Sequence, residues 1–359
     1  MVRRCVVHIG MHKTGSSSIQ DSLNGLSSMA FRYARLSKTP NHSGAIVTVF
    51  SQQSRHRRKH AKHIVRSKAP DLLRLQAKLE KELSRQNDTL VISGEGIVKL
   101  ELRELQEFRE FLQQFVSEIS VFCYVRSPQS YMESALQQRI KAGVVKFDLD
   151  KCYPNYRERF KKFDHTFGED NVRFLPFGSK VLANRCVVTD FCQQLGIDTA
   201  SVNIIRVNES LSLEAIRLLY NYHKCASQRR KGIGMNSQYY SQLLVHLASL
   251  SGKKLKLSSQ LTTPILEAHQ VDLEWIESRL GRSLQTLQQK SSPESEITSE
   301  LDLLHVDKST IDWLCNQIEI EINNVPSREE QIALFLSKCL KALSKKLSAD
   351  MTEADCKVS

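Results

Sequence analysis

Val6-Val7-His8-Ile9-Gly10-Met11-His12-Lys13-Thr14-Gly15-Ser16-Ser17-Ser18-Ile19-Gln20 decides the reading of this chain. The apolar run 5–9, broken by His8, reads as a buried strand. A loop with two glycines follows, and three serines lead into a helical period of Ile19, Leu23 and Leu26. Strand, glycine loop and hydroxyl-rich helix start make a phosphate cradle. Glycines let successive N–H groups point inward, and the helix N-terminus adds its partial positive charge. Lys13 brings a full positive charge into that curl. A nucleotide-hydrolysing loop reads G-x-x-x-x-G-K-[ST]. Gly10 and Gly15 keep that separation, but Ser16 stands where the lysine belongs, and the lysine comes earlier, at Lys13.

Two more strand ends carry chemistry. The apolar stretch 89–93 reads as a strand covered on both faces, and it ends at Ser93-Gly94-Glu95-Gly96. A carboxylate just past a strand's C-terminal end lies where open α/β sheets place their active groups. Glu95 also fits a first-turn or capping glutamate of the following helix. The stretch 120–125 reads as a third strand that delivers Arg126 to the same edge. Arg126-Ser127-Pro128 then turns into a helix, with Pro128 suited to its first turn and Ser134 two turns past the strand. Arginine forks a phosphate bidentately.

Gly10-x-x-Lys13-Thr14-Gly15-Ser16-Ser17 resembles the 5′-phosphosulfate loop of sulfotransferases that use 3′-phosphoadenosine 5′-phosphosulfate (PAPS). Arg126-x-Pro128-x-x-x-x-x-Ser134 resembles the 3′-phosphate motif of the same family. A helix over 156–168, a strand over 171–177, a helix over 190–196 with a glycine stop and a helix capped by Ser212 continue the likeness. The succession is similar to the bacterial branch, whose relatives act on saccharides and small alcohols. It covers residues 1 to about 280. The resemblance implies a P-loop NTPase-like three-layer α/β fold around a central parallel sheet, with a helical C-terminal part. It implies sulfuryl transfer from PAPS to a hydroxyl or amine by in-line displacement, without a metal. Lys13 and the loop from Thr14 and Gly15 through Ser18 would stabilise the leaving phosphate. Ser16 and Ser17 would bind the 5′-phosphosulfate, and Arg126 and Ser134 the 3′-phosphate, with Ser134 restraining Lys13 until an acceptor arrives. The family uses a glutamate or a histidine as base, and Ser-Gly-Glu looks like the glutamate branch, which assigns Glu95. His8 and His12 are rival bases. His8 reads as a strand residue at the core edge, and His12 as a residue packed on the adenosine or facing solvent. Ser16-Ser17 replaces the usual Thr-Thr and keeps the hydroxyl chemistry.

Elsewhere the sequence sets bounds. With 359 residues, 41% hydrophobic and 25% charged, the chain has room for one large α/β domain with additions. The expected division is an α/β domain over 1–282, a Ser-Pro-broken linker over 283–300 and a helical extension over 301–359, with helices at 307–324 and 328–347 that either pack back or form a homodimer surface. Residues 31–70 read as loops with short helices, and 71–85 as a helix with Asp71 as N-cap. Nine scattered cysteines without a C-x-x-C pair fit neither a disulfide framework nor a zinc site; Cys123 and Cys192 read as small core residues. No apolar run approaches the ~18 residues of a membrane span, and the N-terminus lacks a signal-peptide pattern, so a cytoplasmic protein is expected. The net charge of +12, concentrated in the run 55–68, favours an anionic partner. No aromatic platform accompanies that run, which argues against nucleic acid. Arg229-Arg230-Lys231-Gly232-Ile233-Gly234 resembles a cofactor-closing loop only faintly and otherwise reads as a basic turn. Acceptor-pocket candidates are residues 25–70 and Gln137, Gln138, Arg139 and Lys141. Two other classes remain: an ATP-dependent P-loop kinase, which would want a lysine after Gly15, and a non-catalytic anion- or nucleic-acid-binding protein on a degenerate P-loop.

Overall fold

The computed structural model describes residues 3–52, 69–207, 210–229, 238–284, 296–318, 334–336, 338–343 and 346. In chain order the elements are β1 (Arg4–His8), α1 (Ser16–Leu23), β2 (Phe31–Tyr33), α2 (Ser43–Phe50), α3 (Ala69–Leu83), β3 (Thr89–Ser93), α4 (Leu102–Gln113), β4 (Glu118–Arg126), α5 (Pro128–Lys141), α6 (Tyr156–Phe167), β5 (Val172–Phe177), α7 (Val187–Leu195), α8 (Leu213–Arg229), α9 (Gln238–Leu247), β6 (Lys256–Leu257), α10 (Ser259–Ala268), α11 (Gln270–Leu280), β7 (Glu296–Ile297), α12 (Leu301–Leu304) and α13 (Lys308–Ile318). They form two compact units. One holds Met1–Ser127, Asn155–Val207 and His269–Gln288, and the other Pro128–Pro154, Asn208–Ala268 and Gln289–Ser359. These units interleave along the chain instead of following the boundaries at 282 and 300. Composition along a sequence cannot reveal that, because it is blind to which distant segments share a core.

The first unit is a three-layer α/β fold around a central five-stranded sheet. Its sheet is parallel throughout, in the order β2-β3-β1-β4-β5. Strand alternation fills both faces with apolar side chains, as a parallel sheet requires. Val6, Val91, Phe122 and Tyr124 point to one face, where Ile19 and Leu23 of α1 and Val188 and Phe191 of α7 cover them. Cys5, Val7, Leu90, Ile92, Val121 and Cys123, all fully buried, point to the other. There α4 brings Leu105, Phe108 and Leu112, and α6 brings Phe160, which meets Phe174 of β5 at 5.7 Å between rings. From α11, Trp275 closes on Phe174 at 5.9 Å. Helix ends follow local chemistry: Glu101 and Glu104 form a reciprocal capping box at α4, and Gly196 stops α7 in the left-handed region.

Two local expectations change. Residues 31–33 form a strand, β2, where loops were expected; three residues are too short for a period to show, and Arg32 is an unlikely strand residue until Glu82 is placed beside it. The helix α3 begins at Ala69, so Asp71 lies in its first turn, where its charge still suits the helix dipole, rather than at the cap.

In the second unit Glu133 of α5 accepts from Lys256 Nζ (3.0 Å) and the Leu257 N–H (3.3 Å), tying α5 to β6. Both ends of the Gln137 amide hold the Leu211 backbone, at 3.2 and 3.3 Å. Ser212 caps α8 as expected, accepting from the Ala215 N–H at 3.2 Å. Part of the expected linker is a strand: β7 pairs in parallel with β6. The helix expected over 307–324 is α13 in its described part. The basic run 55–68, the Arg230–Gly234 turn and half of 328–347 lie outside the described residues. Among the described residues, all eight cysteines are buried free thiols, Cys123 and Cys192 included. No described helix is long and apolar enough to cross a membrane.

Candidate active site

The register of the sheet puts the motifs at one edge. His8, last residue of β1, is paired with Ser93 of β3 and with Phe122 of β4. The Ile9 N–H reaches Phe122 O at 2.9 Å and the Gly94 N–H reaches His8 O at 2.9 Å. Gly10 and Glu95 therefore leave the C-terminal edge side by side. Connections run from β1 to one side and from β4 to the other, so the loop after β1 sits at the switch point of the sheet.

The loop 10–15 is a tight curl. Gly10, Lys13 and Gly15 all have positive φ (33°, 65° and 76°). A Cβ on Gly10 would lie 2.3 Å from Ser16 Oγ and 3.3 Å from Glu95 Cγ; one on Gly15 would lie 2.6 Å from Val187 Cγ1. Only glycine lets the curl close on Glu95 and lets α1 approach α7. Thr14 Oγ1 donates to Met11 O at 2.7 Å, so this hydroxyl holds the curl together. Ser18 Oγ accepts from the Val207 N–H at 3.1 Å and fixes α1 to the segment before residue 208. The first intrahelical bond of α1 is Ile19 N–H to Gly15 O (3.1 Å), and no side chain caps the helix. The amides of Ser16, Ser17 and Ser18 thus precede the helical ladder and are donors for an anion. Ser16 Oγ is buried and makes no hydrogen bond of full geometry among the described residues. A curl of amides, a buried hydroxyl and a lysine fit a phosphosulfate.

Arg126 ends β4. Its Nη1 donates to Lys13 O at 3.1 Å, its guanidinium lies over the Phe177 ring at 5.9 Å, and its own carbonyl accepts from Tyr156 Oη at 2.6 Å. Arginine and loop are thereby joined, a link that spacing alone does not reveal. Ser134 lies half-buried on α5 in the second unit. Of the acceptor candidates, Gln137 is occupied by Leu211, as described above.

Glu95 opens a short 3₁₀ turn over Glu95–Lys99. The glycines on either side make room for α2: a Cβ on Gly94 or Gly96 would fall 2.7 Å from Ser43 N or 2.8 Å from Ser43 Cβ. The Gly96 N–H donates to Ser43 Oγ at 2.8 Å. The carboxylate is mostly buried and meets His12 Nδ1 at 2.8 Å. Burial alone would raise its pKa, but the hydrogen bond and charge of His12, the adjacent Ser16 hydroxyl and the charge of His8 together hold it below the ordinary value. The structure therefore does not contain a glutamate base poised upward by burial. His12, named from the sequence as a rival base packed on the adenosine or facing solvent, is instead the partner of Glu95. His8 lies under the loop. It is fully buried, with Nδ1 2.8 Å from Ser93 Oγ and its ring 5.1 Å from Phe191, and burial brings its pKa down to about 4 against the opposing pull of Glu95.

No family model matches the chain. An uncharacterised protein of Archaeoglobus fulgidus is 27% identical over 134 residues, 36% of either chain, so the chain spans little more than a third of that relative's length. Among solved structures, the sulfotransferase from Alicyclobacillus acidocaldarius aligns over 80% of this chain and 100% of its own, at 9% identity and a TM-score of 0.40. The sulfotransferase domain from the curacin biosynthetic pathway aligns over 89% and 99%, at 13% identity and a TM-score of 0.31. At these values the similarity assigns no activity to this chain.

Proposed function

We propose that the chain is a PAPS-dependent sulfotransferase acting on a hydroxyl or amine of a saccharide or small alcohol. The observation that supports it most is the convergence of the Gly10–Ser18 loop, Arg126 and Glu95 at one strand edge, with Arg126 bonded to the loop's own backbone. In-line displacement at sulfur leaves negative charge on the departing phosphate oxygen, and fixed donors there lower the barrier. Lys13 and the Ser16–Ser18 amides are those donors. Ser17 joins them on the 5′ side, while Arg126 takes the 3′-phosphate. The acid–base group is Glu95 together with the histidine bound to it. Neither step calls for a metal.

Calorimetry with 3′-phosphoadenosine 5′-phosphate, alongside ATP–magnesium, tests the reading. Metal-independent binding of the bisphosphate that is weakened at least about tenfold in Arg126→Ala is the expected result. Binding of ATP–magnesium in its place would move the chain to the kinases. Binding of neither would leave a degenerate anion-binding scaffold.

A further inference from the structure

The loop carries a second chemical group besides Lys13. His12 and Glu95 stand 83 positions apart in sequence, yet His12 Nδ1 is 2.8 Å from Glu95 Oε2. An ionised carboxylate only accepts hydrogen bonds, so the proton of this contact sits on Nδ1. In the neutral ring that leaves the lone pair on Nε2, at the far side of the imidazole from Glu95. The two side chains differ in access: 51% of the His12 side chain is exposed, against 20% for Glu95. The outer residue can meet an incoming hydroxyl, whereas the inner one lies against Gly10, where an added Cβ would fall 3.3 Å from Glu95 Cγ, and next to the Ser16 hydroxyl. A carboxylate that orients an imidazole by its Nδ1–H, leaving Nε2 toward substrate, is an arrangement suited to general-base work.

We propose that His12 is the catalytic base and Glu95 its positioning residue, an inference that rests on the sulfuryl-transfer reading above. The acceptor hydroxyl oxygen attacks sulfur as its proton passes to His12 Nε2. The new O–S bond forms while the bridging S–O bond to the 5′-phosphate breaks, and the phosphate oxygen keeps the bonding pair beside Lys13. The imidazolium is balanced by Glu95 through Nδ1–H and later returns its proton to solvent. Among the described residues, Glu95 is an ionisable group in contact with His12, His8 acts in turn on Glu95, and Lys13 follows His12 directly in the chain.

The test uses the full chain and two readouts. The first is the ¹⁵N spectrum of the His12 ring in the neutral form. A proton on Nδ1 in the wild type, lost in Glu95→Ala, is expected; a wild-type ring protonated on Nε2 would overturn the proposal, whatever the enzyme's reaction. The second is PAPS turnover with water as acceptor, beside the affinity for 3′-phosphoadenosine 5′-phosphate. His12→Gln should lower turnover about 10²-fold or more with bisphosphate affinity kept, whereas Glu95→Gln, whose amide oxygen still accepts from Nδ1–H, should lower it less and change its pH profile. The reverse order, with His12→Gln nearly as active as wild type and Glu95→Gln inactive, would return the base to Glu95. A wild type that binds no bisphosphate would instead strike the sulfotransferase reading, while the ring spectrum would still decide whether Glu95 orients His12.

Discussion

In the proposed transfer Lys13 and Arg126 act through charge, and their replacement should separate chemistry from binding. Lys13→Ala removes the cation at the leaving oxygen and should lower turnover about 10²–10³-fold, with the circular dichroism spectrum unchanged; an active Lys13→Ala enzyme would contradict the role. Arg126→Ala removes a charge-assisted contact of about 1.5–3 kcal/mol and should weaken bisphosphate binding by about ten- to a hundredfold in calorimetry. Arg126→Lys should fail to restore it, because a point charge cannot fork a phosphate while also reaching Lys13 O. The identities of Lys13, Glu95 and Arg126 were legible from glycine spacing and strand ends. The His12–Glu95 contact was not, because nothing in a linear sequence says that the residues after two different strands lie side by side.

The packing of α1 on α7 depends on one glycine. At Gly15 a methyl group would meet Val187 Cγ1 at 2.6 Å, in a backbone with φ of 76°. Gly15→Ala therefore carries a left-handed cost of about 1–2 kcal/mol and an overlap cost of about 1–3 kcal/mol. Urea unfolding should show the sum, and adding Val187→Ala should recover the overlap part alone. Full recovery would mean that the backbone conformation carries no cost. At this scale the longer elements followed from pattern: β3 and α6 lie within two residues of their expected bounds because apolar runs and periodicity mark them. The strand β2 escaped, since Phe31, Arg32 and Tyr33 are buried through partners distant in sequence, among them β3, His42 and the ion pair with Glu82.

Across the molecule, buried histidines make the fold sensitive to acid. Burial brings His8, His42 and His223 down to about 4 from an ordinary value of 6.5. At His42 the neutral tautomer is fixed from both sides, because Nε2 donates to Ala34 O at 2.9 Å and Nδ1 accepts from the Ser93 N–H at 3.0 Å. Between these two pH values the unfolded chain holds protons that the native one refuses, so stability falls as pH drops from about 6.5 toward 4. The loss approaches about 3 kcal/mol for each imidazole at the lower end. Melting temperatures measured from pH 7.5 to 4.5 should decline across that window and be flat above it; a flat profile throughout would contradict the burial of these rings. By itself the sequence determined the strand–loop–helix cradle, the all-parallel α/β class and the three residues aimed at one sheet edge, because glycine spacing and short apolar runs are local constraints. Only the tertiary structure decided the interleaving of the two units, the strand β2, the tether from Arg126 to the loop and the pairing of Glu95 with His12. Each of these joins segments far apart in the chain, and their contact exists only once the sheet has set its order and register.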